Sequence, residues 1–276
     1  MTLWALAVRV DAGRREALAA WLVGRTGEAV LERPDGEVVG YVEDAGVDAL
    51  AAEIQEREGR DVPIGRSVVP PVDWVTHWCD GMGARTVGRI LLAPSWIAAT
   101  PAAGQVRLTL DPETAFGSGE HGSTRGALLL LDRHLPPGAR MLDLGSGSGI
   151  LAIAAALLGA ARAVGIELDG DAVPIAEANA EKNGVSDRVV FIHGDAGRSA
   201  ALGAPADLVC SNILRNINVS LLPAIRDAMA PGAVAVFAGM EEAEAALFRP
   251  ELSAAGFTAI DEARDEGWWS VAARRT

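Results

Sequence analysis

From Arg140 to Ile150 the chain reads Arg-Met-Leu-Asp-Leu-Gly-Ser-Gly-Ser-Gly-Ile, an apolar stretch running into three alternate glycines, Gly145, Gly147 and Gly149. A glycine turn between a parallel strand and a helix lets a ligand approach backbone that a Cβ would shield. A dinucleotide fingerprint would place its third glycine one position later, where Ile150 stands. The spacing therefore argues against a nicotinamide site and for the related turn that cradles the methionine part of S-adenosylmethionine. Glu167 ends the run Val164-Gly-Ile-Glu, about twenty residues past the turn, where a carboxylate can accept both ribose hydroxyls. Asp195 ends His193-Gly-Asp and can hydrogen-bond an adenine amino group. Asp143, just before the turn, can contact the cofactor or brace the glycine loop. Any one of these carboxylates is commonly just a solvated loop residue. Together, at successive strand ends on the side where such sheets bind ligands, they read as a site.

A fourth strand end, Ser211-Asn212-Ile213-Leu214, lies across the switch point from the glycines. Asn212 and the neighbouring backbone carbonyls of Ile213 and Leu214 can accept hydrogen bonds from an amine and aim its lone pair. Methyl transfer from a sulfonium needs an unprotonated nucleophile, in line and desolvated. Burial helps a lysine lose its proton by lowering its pKa.

These residues need a scaffold, and the pattern around them supplies one. Strands read at 140–144, 162–168, 188–193, 206–211 and 233–238, alternating with helical stretches at 150–158, 171–183, 216–230 and 241–255. Such alternation predicts an α/β fold with a doubly wound, mostly parallel, Rossmann-like sheet and helices on both faces. Joined to the glycine turn, it is the fold expected of a class I S-adenosylmethionine methyltransferase. Asp265-Glu266-Gly267 between two apolar runs predicts a terminal antiparallel hairpin. Residues 1–69 read β-α-β-β-α-β, with a turn at Pro34-Asp35-Gly36, which predicts a small ferredoxin-like α+β domain. Pro70-Pro71 marks its end. We expect a connector over 70–100, with a helix starting at Asp73-Trp74, and a catalytic domain over 101–276. The segment Asp111 to Arg125, rich in Gly, Ser and Thr, is a candidate flap over the cofactor.

Bulk properties narrow the function. The formal net charge of −13 over 276 residues disfavours a nucleic-acid groove, which needs a basic face. Positive charge is nearly all arginine, with Lys182 the sole lysine. Cys79 and Cys210 have no metal-ligand spacing, and His77, His121, His134 and His193 form no i, i+4 pair, so no metal site is expected. The apolar run from Ile150 to Ala161 is too short for a membrane span, and Met1 to Val10 lacks signal-peptide features. Reduced thiols, a cytoplasmic location, a monomer and no membrane partner are the expectations.

The chain resembles the PrmA family, bacterial methyltransferases of the eleventh large-subunit ribosomal protein, from about Asp73 to the C-terminus. The resemblance rests on Asp73-Trp74 with Trp78, on Pro94-Ser95-Trp96, and on Asp111-Pro112 leading to Ala115-Phe116-Gly117-Ser118-Gly119-Glu120-His121. It continues through Thr124-Arg125, Leu142 to Ile153 and Ser211-Asn212-Ile213-Leu214. It implies that the small domain grips a ribosomal protein while the larger one methylates lysine ε-amines and the N-terminal α-amine. It places Phe116, Gly117, Gly119, His121 and Thr124 in the cofactor loop and Asn212 at the amine site. The chain departs from the family pattern at Glu120, where Thr is usual, at Gly122-Ser123, where Pro-Thr is usual, and at Arg215-Asn216-Ile217, where Ala-Asp-Pro is usual. The altered loops leave open a different protein or a small amine as acceptor, and the fold alone would also suit a cofactor-binding module without catalysis.

Overall fold

The computed structural model describes residues 3–27, 30–33, 36–60, 62–69, 83–111, 117 and 119–276. The turn at Pro34-Asp35, the Pro70-Pro71 boundary, the helix start at Asp73-Trp74 with Trp78, and His77, Cys79, Pro112, Ala115, Phe116 and Ser118 lie outside those residues. The chain divides into two compact units, Met1–Asp80 and Gly81–Thr276.

The smaller unit runs β1 (Leu3–Arg9), a helix Ala12–Thr26, β2 (Leu31–Glu32), β3 (Glu37–Glu43), a helix Val47–Glu58 and β4 (Ile64–Val68). Its sheet has the order β2-β3-β1-β4 with every pair antiparallel, the ferredoxin-like arrangement read from the sequence. Leu6 and Val8 on alternate positions of β1 face the helices, where Leu18, Leu22, Leu50 and Ile54 complete one apolar core. The first helix stops at Gly27, whose left-handed backbone (φ 75°) returns its N–H to the Val23 carbonyl.

The larger unit begins with β5 (Arg85–Val87), β6 (Ile90–Ala93) and β7 (Val106–Thr109), a three-stranded sheet in that order. The stretch read as connector thus carries two strands. They escaped the sequence reading because each is three or four residues long. Ile90 to Ala93 is buried throughout, and Arg89 ties the hairpin to Asp132 through its backbone N–H (2.9 Å) and Nε (2.7 Å). Asp111, just past β7, receives Lys182 Nζ at 2.7 Å and the Ser95 N–H at 2.8 Å, which fastens this small sheet to the helix Ala172–Lys182.

The main sheet contains β8 (Arg140–Leu144), β9 (Arg162–Glu167), β10 (Val189–His193), β11 (Ala206–Asn212), β12 (Met229–Glu241), β13 (Phe257–Asp265) and β14 (Trp268–Arg275). Its order is β10-β9-β8-β11-β12-β14-β13. The first five positions are parallel, and β14 is antiparallel to both its neighbours. Alternate side chains separate to the two faces. On β12, Val234, Val236 and Ala238 pack under the helices Gly122–His134 and Ile150–Leu157, while Ala235 and Phe237 pack under Arg215–Ala228 and Ala245–Ala254. From β8 the chain winds outward to β9 and β10, then returns to β11 on the other side. The C-terminal ends of β8 and β11 therefore flank the switch point, where a crevice opens.

Candidate active site

The glycine turn fills the start of that crevice. Gly145, Gly147 and Gly149 have φ of 73°, 49° and 82°, conformations that side chains resist. A Cβ on Gly145 would lie 2.6 Å from Ile213 Cγ2, and one on Gly149 would lie 2.6 Å from Phe191 Cζ. The first glycine thus lets the turn pass beside the 212–214 loop. The third lets the helix Ile150–Leu157 pack closely on β10. The N–H groups of Gly145 and Ser146 reach the Ile166 carbonyl, and that of Gly147 donates to Glu167 Oε2 at 2.7 Å.

Beside the turn lies a cavity of about 690 Å³ lined by, among others, His121, Gly145, Gly147, Glu167, Asp195, Asn212, Ile213, Leu214 and Trp268. Glu167 receives the Asp169 N–H on Oε1 (2.9 Å) and the Gly147 N–H on Oε2. Each carboxylate oxygen keeps capacity for another donor, which suits a pair of hydroxyls. Asp195 caps the short helix Ala196–Ser199 by accepting the Arg198 N–H at 3.0 Å, and is otherwise exposed to the cavity. Asn212 is 8% exposed, and its Nδ2 donates to Thr124 Oγ1 at 3.2 Å.

Two buried polar atoms here, Asn212 Oδ1 and Ser146 Oγ, have no partner among the described residues. Leaving such a group unpaired costs about 1–3 kcal/mol, so a polar ligand is the natural complement. Glycines at the turn, a two-oxygen acceptor at Glu167 and apolar walls from Ile166 and Leu168 together fit S-adenosylmethionine.

Four residues assigned to the cofactor from sequence stand elsewhere. Asp143 does not line the cavity. It is fully buried beneath the turn and accepts the Ala152 N–H at 3.2 Å, bracing the next helix. Burial, assisted by the nearby Glu167 charge, pushes its carboxyl up to about 8 against the pull of that hydrogen bond. Thr124 is also fully buried and acts on the cavity through Asn212. Gly149 serves the helix–strand packing, and Gly117 (φ 100°) accepts a hydrogen bond from Ser148 Oγ at 2.9 Å. Phe116 lies outside the described residues.

The described end of the candidate flap, residues 119–125, is held from an unexpected side. A Cβ on Gly122 would come within 2.4 Å of the Asp265 carbonyl oxygen, so the helix Gly122–His134 starts directly against the β13–β14 hairpin. Arg125 pairs with Asp265 (2.5 Å) and Glu266 (2.7 Å) at that hairpin, and also donates to the Glu120 carbonyl. Arg85 pairs with the Glu120 carboxylate. The His121 ring lies 4.1 Å from that of Trp268, and its Nδ1 is 2.7 Å from Ser123 Oγ. Burial, then the Arg125 charge, lower the His121 pKa against the opposing pull of Glu266. Trp268, Gly122 and Arg125 join the site through this hairpin, a contact between distant segments that carries no local sequence signal.

Comparison with known proteins agrees with this geometry. The family model described as ribosomal protein L11 methyltransferase (PrmA) matches residues 25–276. The ribosomal protein L11 methyltransferase of Desulfosudis oleivorans is 37% identical over 211 residues, covering 74% of this chain and 68% of that protein. That of Thermus thermophilus is 38% identical over 200 residues, covering 71% and 75%. The crystal structure of a ribosomal protein L11 methylase from Lactobacillus delbrueckii subsp. bulgaricus superposes with a TM-score of 0.62 at 27% identity, covering 68% of this chain and 96% of that one. The chain therefore belongs to the ribosomal protein L11 methyltransferase (PrmA) family, whose members transfer methyl groups from S-adenosylmethionine.

Proposed function

We propose that this protein methylates amino groups of the eleventh protein of the large ribosomal subunit, lysine ε-amines and the N-terminal α-amine, with residues 1–69 gripping that substrate. One observation carries the amine assignment: Asn212 lines the cavity beside the glycine turn, and its buried Oδ1 has no partner among the described residues. In this reading Gly145 and Gly147 leave room for the methionine portion, Glu167 takes the ribose hydroxyls and Asp195 takes the adenine amine. When bound, S-adenosylmethionine supplies an electrophilic methyl group on a sulfonium. The protein's part is to bring an amine to it without water and with its lone pair aimed. Asn212 Oδ1 accepts one N–H of the incoming amine, and Thr124, holding Nδ2, fixes the rotation of the amide. The lowered His121 pKa works against a positive charge on the ring beside an approaching ammonium. The apolar lining from Ile213, Leu214 and Ile217 favours the uncharged amine, which is the reactive form.

The test is incubation of the purified protein with labelled S-adenosylmethionine and separated large-subunit ribosomal proteins, followed by intact-mass analysis. Mass increments of one methylene on protein eleven, lost on acylation of its amines beforehand, are expected. Label on another protein alone, or on none, refutes the substrate assignment.

A further inference from the structure

An acceptor atom can aim a lone pair only if the chain carrying it is held still. Past Asn212, the last residue of β11, Ile213 and Leu214 leave the sheet before the helix Arg215–Ala228 begins, so their polar groups must be fixed by something other than ladder bonds. Leu214 caps the helix and accepts the N–H groups of Ile217 (3.1 Å) and Asn218 (3.0 Å). The Ile213 carbonyl accepts Asn218 Nδ2 at 2.9 Å. The same Nδ2 donates to the Ala238 carbonyl at 3.0 Å, near the end of β12, and Asn218 Oδ1 accepts Ser211 Oγ at 2.7 Å. Asn218 is completely buried, so these bonds compete with no water. Two carbonyls and one hydroxyl fix its amide orientation, because only the NH₂ end can serve both carbonyls.

One side chain thus joins the end of β11, the loop after it and the neighbouring strand. The loop is also confined from behind. Gly239 (φ 82°) passes so near that a Cβ there would lie 2.4 Å from the Ile213 oxygen. Arg215 anchors the first helical turn through Glu244 (3.3 Å) and Glu251 (3.1 Å). With the Ile213 and Leu214 carbonyls engaged inside the protein, Asn212 Oδ1 at the end of β11 is a buried side-chain acceptor that lacks a partner among the described residues.

We propose that Asn218 is a positioning residue for methyl transfer, clamping Ile213 and the end of β11 so that Asn212 Oδ1 faces the acceptor amine. The proposal rests on the amine-methylating reading above, and its test has one arm that does not. In the full-length Asn218→Leu protein, hydrogen exchange at the backbone amides of Ile213 and Leu214 should quicken about tenfold while those of β8 and β9 do not change. Calorimetry should show S-adenosylmethionine binding within about threefold of wild type, while kcat on the protein acceptor falls at least about tenfold and its KM moves little. Should Asn218→Leu not fold, Ser211→Ala removes one bond of the same clamp, with smaller changes of the same pattern expected. Unchanged loop exchange, an unchanged kcat, or a kcat loss matched by equal loss of cofactor affinity overturns the proposal. If wild type methylates no amine, the functional reading fails separately, and the exchange measurement still decides whether Asn218 holds the loop.

Discussion

Asn212 and Asp143 show how differently two polar residues at neighbouring strand ends behave. Both were visible in the sequence because each lies at or beside the end of a strand at the switch point, the place where such sheets bind ligands. Which of them reaches the cavity was not visible, because it depends on which way the strand turns each side chain. Asn212 faces the cavity, and Asn212→Ala should lower kcat about a hundredfold while leaving the S-adenosylmethionine dissociation constant nearly unchanged. Single-turnover kinetics beside calorimetry reads both, and equal losses in both would assign Asn212 to cofactor binding instead. Asp143 lies in the core, with its carboxyl raised from 3.8 to about 8 by burial. Between those values the unfolded chain has released this proton while the folded chain keeps it, so this group's contribution to stability falls as pH rises through the window. Asn in its place does not titrate. Asp143→Asn should therefore gain stability over wild type as pH goes from 5 to 8.5, a widening gap in urea midpoints; a gap independent of pH would show that Asp143 ionises normally.

At the scale of elements, the parallel strands and their helices followed from periodicity, since a buried strand and an amphipathic helix leave different apolar spacings. The strands expected at 140–144 and 162–168 appear at Arg140–Leu144 and Arg162–Glu167. Elements held mainly by partners were harder to read. The β5–β6 hairpin has too few residues for a period, and the docking of the flap on the β13–β14 hairpin joins residues 140 apart. Asn218 lies inside a helix, where an Asn ordinarily reads as a poor helix former, and its value comes from two strands it reaches across. Gly239 belongs to the same class. Ala at 239 would face both a left-handed backbone and the Ile213 oxygen, so Gly239→Ala should cost more than about 1 kcal/mol in chemical denaturation. It should also lower methyl transfer beyond the loss of folded protein. Wild-type stability in that variant would mean that β12 can retreat from the loop.

For the molecule as a whole, the two units divide the work in the proposed reading, chemistry in Gly81–Thr276 and grip in Met1–Asp80. A chain beginning at residue 81 should bind S-adenosylmethionine as wild type does, because among the described residues those lining the cavity all lie in the larger unit. Its KM for the ribosomal protein should rise at least about tenfold, the equivalent of 1.4 kcal/mol of lost grip. Steady-state assays on the intact acceptor check this, and an unchanged KM would move recognition into the larger unit. The ion pair between Lys182 and Asp111 has a different consequence. Lys182 is the only lysine in the chain, and it is tethered to a carboxylate. Guanidinium groups, which carry the remaining fixed positive charge, stay protonated and offer no free lone pair to a sulfonium. In the proposed reading, a catalyst that methylates amines therefore carries a single lysine amine of its own. In that reading, copies meeting in solution would present each other with one lysine as a competing acceptor, and it is held in an ion pair.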